Sequence, residues 1–300
     1  MKFAKNNLII ASRSSPLALK QSEIFQKYLK NIHTSILKIL SSGDKIINQQ
    51  LHEFGGKGLF VKELERILID NKADAAVHSM KDMEWEIAKG TKIGAVLKRG
   101  SRKDLLIGNY KSFDELPIGS IIGTSSIRRK AFLLNKRPDL KIRPIRGNIN
   151  TRLKKLYSGE FDAIILAEAG IQRLGIKVNS FAIPESILIS SAAQGAIAIQ
   201  TKEEDIDLND FLSTISDPIA ENETLAERSF VKSLNGNCNS PISASAVISG
   251  KSLKLIGAIA SEDGKLVYKD SINGHLKDAD MLGKKLAEII LSKVSGNELF

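Results

Sequence analysis

Four short segments of the chain set a cation in or beside a polar or glycine-rich turn that opens a helix, and each is a place where an anion could be held. Residues 11–16 (ASRSSP) bring Arg13 and offer Ser15 as N-cap to a helix whose first residue is Pro16. Residues 55–58 (GGKG) set Lys57 ahead of LFVKELERIL, residues 123–126 (GTSS) lead through Ser126 into Arg128 and Arg129, and residues 146–148 (RGN) lead from Arg146 into INTR with Arg152. Unpaired backbone N–H groups and the positive end of the helix dipole gather at such starts. Acidic side chains would stabilise a first turn; Arg128 and Arg129 cost about 0.3–1 kcal/mol each there unless an anion lies between dipole and guanidinium. Arginine grips carboxylates and phosphates bidentately, so several such starts suit a ligand bearing several of these groups. GGKG lacks the spacing that a P-loop requires, which argues against a nucleotide. Any one segment also reads as an ordinary capped surface helix; four together favour a site.

Two other segments carry reactive groups. Residues 74–82 (DAAVHSMKD) run off a strand and deliver Lys81 and Asp82 to the same region. A carboxylate held among cations stays ionised and can stabilise positive charge developing on a substrate; the same two residues also read as a surface ion pair. His78 reads as a structural, hydrogen-bonded histidine. Cys238, the one cysteine, stands in the polar turn GNCNSPI, where it is either an inert small hydrophobe or an accessible nucleophile. No His, Cys and carboxylate grouping has metal-ligand spacing, so no metal is expected.

The elements that must position these groups alternate over the first two hundred residues. Strands are expected at 8–11, 36–40, 73–77, 93–97, 120–123, 141–145 and 162–166, with helices at 16–29, 59–69, 127–134 and 149–157. This alternation predicts α/β layers with largely parallel sheets, in which groups at strand carboxyl ends converge in a crevice. The polar stretch 98–103 (KRGSRK) reads as a crossover between two α/β domains. A second crossover is expected at 190–195 (SSAAQG), ahead of another helix. The last third differs: a helix at 221–234, strands at 242–248, 253–260 and 265–272, and a closing helix at 279–294 predict a small α+β unit.

Composition narrows the classes. With 42% hydrophobic residues in 300, the chain can bury a sizeable core. No apolar run approaches the roughly 20 residues of a membrane-spanning helix, and the apolar stretch at the N-terminus is too short for a signal peptide. A single cysteine excludes an internal disulfide and fits a reducing, cytoplasmic setting. The net charge is +10, and residues 124–155 hold eleven Lys and Arg against one acid, Asp139. That block reads as an anion site, a solvated helix face or a nucleic-acid surface. Against the last, Phe132 is its one Phe or Trp, which leaves no stacking platform for single strands.

Together these segments resemble the porphobilinogen deaminase family (hydroxymethylbilane synthase), from ASRSSPLAL through GGKGLFVKELE, HSMKD, GTSSIRR and IRGNINTRL to GNCNSPI and the C-terminal helix. The resemblance implies two α/β domains like those of periplasmic binding proteins, joined by two crossovers, and a small C-terminal α+β domain. On this division residues 1–98 and 195–216 form the first domain, 99–194 the second and 217–300 the third. It implies a cytoplasmic, monomeric transferase that condenses four porphobilinogen molecules head to tail into hydroxymethylbilane, releasing ammonia each time. That product would pass to uroporphyrinogen-III synthase, with neither nucleic acid nor membrane as partner. Growth would start from a dipyrromethane cofactor, held as a thioether by the residue that matches Cys238. Asp82 matches the catalytic aspartate; Lys81, Asp44, Ser126, Arg128 and Arg129 match cofactor-binding positions. Arg13, Ser15, Gln21, Lys57, Arg146, Arg152, Arg173 and Gln194 match positions that hold the acetate and propionate groups of substrate and growing chain. In this chemistry, loss of ammonia leaves a cationic azafulvene that a pyrrole α-carbon attacks, and each pyrrole brings two carboxylates.

Three positions depart from the family pattern: Met83-Glu84 after HSMKD, Glu53 where a cation is common, and Asn237 before Cys238 where glycine is frequent. The rival from another class is a non-catalytic anion-binding or ligand-sensing module of binding-protein type. It accounts for two α/β domains and the arginines but gives Cys238 and the third domain no purpose.

Overall fold

The structure is a computed structural model and describes residues 7–30, 32–39, 58–237 and 240–294. Asp44, Glu53, Lys57 and Cys238 lie outside the described residues. The chain divides into two compact units, one of residues 1–100 and 196–221, the other of 101–195 and 222–300.

The first unit is built on strands β1 (Asn7–Arg13), β2 (His33–Ile39), β3 (Ala75–Ser79), β4 (Thr91–Leu97) and β10 (Ile197–Lys202), in the order β2-β1-β3-β10-β4. Helices α1 (Pro16–Gln26), α2 (Gly58–Ile69) and α6 (Ile206–Ile215) complete it. Its central strands are buried on both faces, which explains their continuous apolar runs. On one face Leu8, Ile10, Val77, Leu97 and Ile199 pack with Phe25, Leu208 and Leu212; on the other Ala11 and Ala76 pack with Leu64 and Leu68.

The second unit repeats the plan with β5 (Asp104–Ile107), β6 (Ile121–Gly123), β7 (Lys141–Arg143), β8 (Ala163–Ala167) and β9 (Ser180–Ala182), ordered β7-β6-β8-β5-β9. Helices α3 (Ile127–Lys136), α4 (Ile149–Tyr157) and α5 (Glu168–Leu174) belong to it. An antiparallel meander follows, β11 (Ile242–Ser249), β12 (Ser252–Ala260) and β13 (Val267–His275), covered by α7 (Pro218–Ser233) and α8 (Ala279–Leu291). Ala258 and Ala260 of the meander share a core with Phe132 and Leu133 of α3. Gly264, at φ 76 in the β12–β13 turn, lies against α3 so closely that a Cβ there would stand 2.3 Å from the Ala131 carbonyl oxygen.

One expectation is qualified and another corrected. In each five-stranded sheet four strands run the same way, as expected of a largely parallel sheet, but one runs against them. β1, β2 and β3 run parallel, as do β6, β7 and β8, whereas β10 is antiparallel to β3 and β4, and β5 to β8 and β9. The segment after 190–195 is strand β10, not a helix. Its residues Ile197–Thr201 are buried throughout, and a short buried apolar run has no period that separates strand from helix.

Candidate functional site

In the first unit the candidate groups lie at the carboxyl ends of two neighbouring parallel strands, β1 and β3. β1 ends on Arg13. Ser15 caps α1 by accepting the Ala18 N–H at 3.4 Å, and Pro16 occupies the first helical position. β3 runs into a single 3-10 turn, Met80–Asp82. Buried Met80 and Met83 pin that turn, and it closes with the Met83 N–H donating to the Met80 carbonyl at 3.2 Å. Lys81 and Asp82 are left half-buried between them. Met83, one of the departures from the family pattern, therefore serves as the inner anchor of the Asp82 turn, with Glu84 exposed beyond it. Gln21 is buried; its amide donates to Ser79 Oγ at 2.8 Å and its carbonyl accepts from the same hydroxyl at 3.0 Å. That exchange ties α1 to the strand end carrying Asp82.

His78, one step earlier on β3, is buried, and burial pulls its pKa down to about 4, only partly opposed by the neighbouring Gln200. Its Nε2 makes no hydrogen bond, so the expected hydrogen-bonded histidine is instead a buried one with an unpaired ring nitrogen. It is neutral at pH 7, as a structural histidine should be.

In the second unit two predicted helix starts form one continuous feature. The Thr124 N–H donates to the Arg143 carbonyl at 3.0 Å, and Ser125 Oγ donates to the Ile145 carbonyl at 2.8 Å while accepting the Ile145 N–H at 3.0 Å. These bonds lace the loops at the carboxyl ends of β6 and β7 together. Ser126 caps α3 by accepting the Arg129 N–H at 3.4 Å, and Asn148 caps α4 by accepting the Thr151 N–H at 3.0 Å. Gly147 is required between them: its φ is 107, and a Cβ there would meet Thr151 at 2.7 Å. Arg146 is exposed, and half-buried Arg152 donates through Nε to the Gly147 carbonyl at 2.8 Å.

The anion called for by two arginines in a helix first turn is supplied in part by the chain itself. Arg128 and Arg129 are 5% and 7% exposed, and both reach the fully buried carboxylate of Asp104. Arg128 donates to Oδ2 at 2.7 Å and to the Ile189 carbonyl. Arg129 donates to Oδ1 through both Nε, at 3.2 Å, and Nη2, at 2.6 Å, and to the Ile165 carbonyl at 2.8 Å. Burial draws the Arg128 pKa below its ordinary value, against the pull of Asp104. Two guanidiniums share one carboxylate, so among these three side chains one positive charge remains over. That surplus, at a helix start laced to a second one, fits a bound group that carries carboxylates.

Arg173 stands in the last turn of α5, donates to the Gly195 carbonyl, and is drawn down to about 10 by burial. Gln194 is fully buried; its amide donates to the Arg102 carbonyl at 2.7 Å and to Asp104 Oδ1 at 3.1 Å. The structure thus groups Arg13, Ser15, Gln21, Lys81 and Asp82 within the first unit, and Ser126, Arg128, Arg129, Arg146 and Arg152 within the second. Asp104 and Ser125 were not singled out from sequence. The signal for Asp104 was an acid directly before an apolar run, masked by the basic residues preceding it. Among the described residues no group of three or more His, Cys, Asp and Glu could hold a metal ion, and no helix is long and apolar enough to cross a membrane.

Within the first unit Arg13 and the turn-borne carboxylate of Asp82 stand at or just past the ends of neighbouring parallel strands, and within the second two cationic helix starts are laced together; each arrangement suits an anion-handling protein. Comparison with known proteins gives the family. Residues 8–210 match the family described as "Porphobilinogen deaminase, dipyromethane cofactor binding domain", and residues 222–292 match "Porphobilinogen deaminase, C-terminal domain". The chain is 43% identical over 295 residues to a porphobilinogen deaminase from Prochlorococcus marinus (95% of this chain, 93% of that one). It is 41% identical over 293 residues to one from Chromobacterium violaceum (95% and 94%). Among solved structures, substrate binding domain 2 of GlnP from Lactococcus lactis, in open conformation, matches 70% of this chain and 88% of its own at 13% identity and a TM-score of 0.43, too low a likeness to add weight. The chain belongs to the porphobilinogen deaminase family.

Proposed function

We propose that this protein condenses four porphobilinogen molecules head to tail into hydroxymethylbilane, with one ammonia released at each joining. Family membership over nearly the whole chain is the observation that carries the proposal; the sharing of Asp104 between Arg128 and Arg129 is the geometry that agrees with it. Cys238 is assigned as the thioether anchor of a dipyrromethane cofactor, with Lys81, Asp44, Ser126, Arg128 and Arg129 holding its side groups. When bound, that cofactor supplies the free pyrrole α-carbon to which the first substrate is joined.

The chain's own residues have three tasks. Asp82, on a turn fixed by two buried methionines, keeps a negative charge where the substrate becomes a cation on losing ammonia; a charge fixed in advance needs no reorganisation as the reaction proceeds. Arg13, Ser15, Lys57, Arg146, Arg152 and Arg173 bind the acetate and propionate groups, each pyrrole bringing two. Gln21 and Gln194 serve these contacts from below, Gln21 by holding the Asp82 strand end and Gln194 by holding residues 102–104. The protein is further assigned as a cytoplasmic monomer whose product is taken up by uroporphyrinogen-III synthase. Incubation with porphobilinogen tests the activity: ammonia and a linear tetrapyrrole should appear together. A purely anion-binding module would bind porphobilinogen and return it unchanged, and that outcome would overturn the proposal.

A further inference from the structure

Asp104 lies where several lines of the second unit meet. It opens β5, just after the boundary at Gly100 and Ser101, and Gln194 stands just before the return boundary at Gly195 and Ala196. The Gln194 amide joins the two segments through the Arg102 carbonyl and Asp104 Oδ1. Arg128 joins them again, with one arm on Asp104 and the other on the Ile189 carbonyl. The returning segment is held on its far side as well. Ser190 exchanges hydrogen bonds with Ala244, at 3.0 and 3.1 Å, and the Ala193 N–H donates to Glu227 Oε2 at 2.7 Å. Ala193 has a left-handed φ of 57, which a non-glycine residue keeps only where its surroundings over-determine it.

We propose that Asp104 is a positioning residue that couples occupancy of the Arg128–Arg129 anion site to the rigidity of both segments, 101–104 and 189–195, that lead into and out of the second unit. The charge count gives the direction. Without a bound anion the buried set of two guanidiniums and one carboxylate carries a surplus positive charge, and desolvation works against it. A ligand carboxylate neutralises that surplus and tightens both arginines onto Asp104, and through it Gln194 and Ile189. By reciprocity, loosening the segments must weaken the hold on the ligand by the same factor, typically on the order of 5–150-fold for coupled sites. The identity of the ligand as dipyrromethane carboxylates rests on the proposed function; the network itself does not.

Hydrogen exchange on the full-length protein tests the coupling, in the cofactor-loaded form and in Cys238→Ala, which should lack the cofactor. In the wild type, protection at 101–104 and 189–195 should fall together, by about tenfold, when the cofactor is missing. In Asp104→Glu, which keeps the charge but shifts it by one methylene, intact mass should show reduced cofactor loading, and any loaded fraction should have lost the protection difference. Gln194→Met, which removes the amide and no charge, should raise exchange in both segments and, by the same reciprocity, lower cofactor loading. It decides the matter if the Asp104 variants do not fold. Equal exchange in loaded and unloaded protein overturns the inference. So does an Asp104→Glu protein with full loading and the wild-type difference, or a rise confined to one segment in Gln194→Met. If wild-type protein carries no added mass, the functional reading fails instead. Exchange in Gln194→Met against unliganded wild type then still shows whether the Gln194–Asp104 network holds both segments.

Discussion

Acidification should destabilise this protein through His78, and the magnitude follows from the core of the first unit. His78 lies on β3, paired with Ala198 of β10, with burial holding its pKa at about 4 against an ordinary 6.5. Between these values the unfolded chain takes up a proton that the folded chain refuses, so stability is complete above about pH 6.5 and declines as pH falls towards 4. The full difference of about 2.5 units is worth roughly 3.4 kcal/mol at about 1.36 kcal/mol per unit, of which about 2 kcal/mol is already lost at pH 5. Asp139 and Asp263, held at about 2 by Arg137 and by Ser261 and Lys265, withdraw stability only below about pH 4 and do not obscure this window. The assay is urea unfolding at intervals from pH 7.5 to 4.5, for wild type and His78→Gln. Wild-type stability should show a slope of about 1.2 kcal/mol per pH unit near pH 5, close to the value for one proton, and the variant should be nearly flat whatever its stability at pH 7.5. An unchanged slope in His78→Gln would refute the assignment, because the proton would then be taken up elsewhere.

Other expected outcomes follow from the sites. Asp82→Asn keeps shape but removes charge, so turnover should fall by about a hundredfold or more with a small change in KM, since one preorganised electrostatic contact is commonly worth about 3–4 kcal/mol. Asp82→Glu should keep weak activity and accumulate partly elongated complexes; a mere surface ion pair would instead leave turnover nearly unchanged and shift stability by less than about 1 kcal/mol. Arg129→Ala leaves Arg128 and Asp104 balanced, so the protein should fold and lose cofactor, as intact mass would show; full loading at full activity would remove Arg129 from the site. Ser125→Ala cuts both Ser125–Ile145 bonds and leaves the Thr124–Arg143 one, and KM should rise more than kcat falls while the thermal midpoint drops by only a few degrees, as expected for a loss of about 1–2 kcal/mol.

Much of this was legible because the helices announce their own starts. Ser15-Pro16, Ser126 and Asn148 are local capping signals, and α1, α3 and α4 begin directly after them. Arg13, Arg128, Arg129, Arg146 and Arg152 lie in or beside those same turns, so reading the starts also named these candidates; Lys81 and Asp82 sit in a separate turn after β3. Non-local features were hidden. Asp104 next to Lys103 looks like a solvated acid until α3 folds over it, and its partners Arg128 and Arg129 lie a full crossover later in the chain. The antiparallel placement of β5 and β10 depends on the path of the chain between units, which no local pattern records. Gln21 and Gln194 match ligand-holding positions through the resemblance alone; that their amides engage Ser79 and residues 102–104 appears only in the folded chain.

The claim on which the rest depends is that Cys238 carries the primer from which the tetrapyrrole grows, and intact mass of the purified protein tests it most directly. The wild-type chain should be heavier than its sequence by one dipyrromethane, and brief exposure to porphobilinogen should add further species spaced by one pyrrole unit. Cys238→Ala should show the bare sequence mass and no such series. Active enzyme at the unmodified mass, or a Cys238→Ala protein that still carries the addition, would contradict the account.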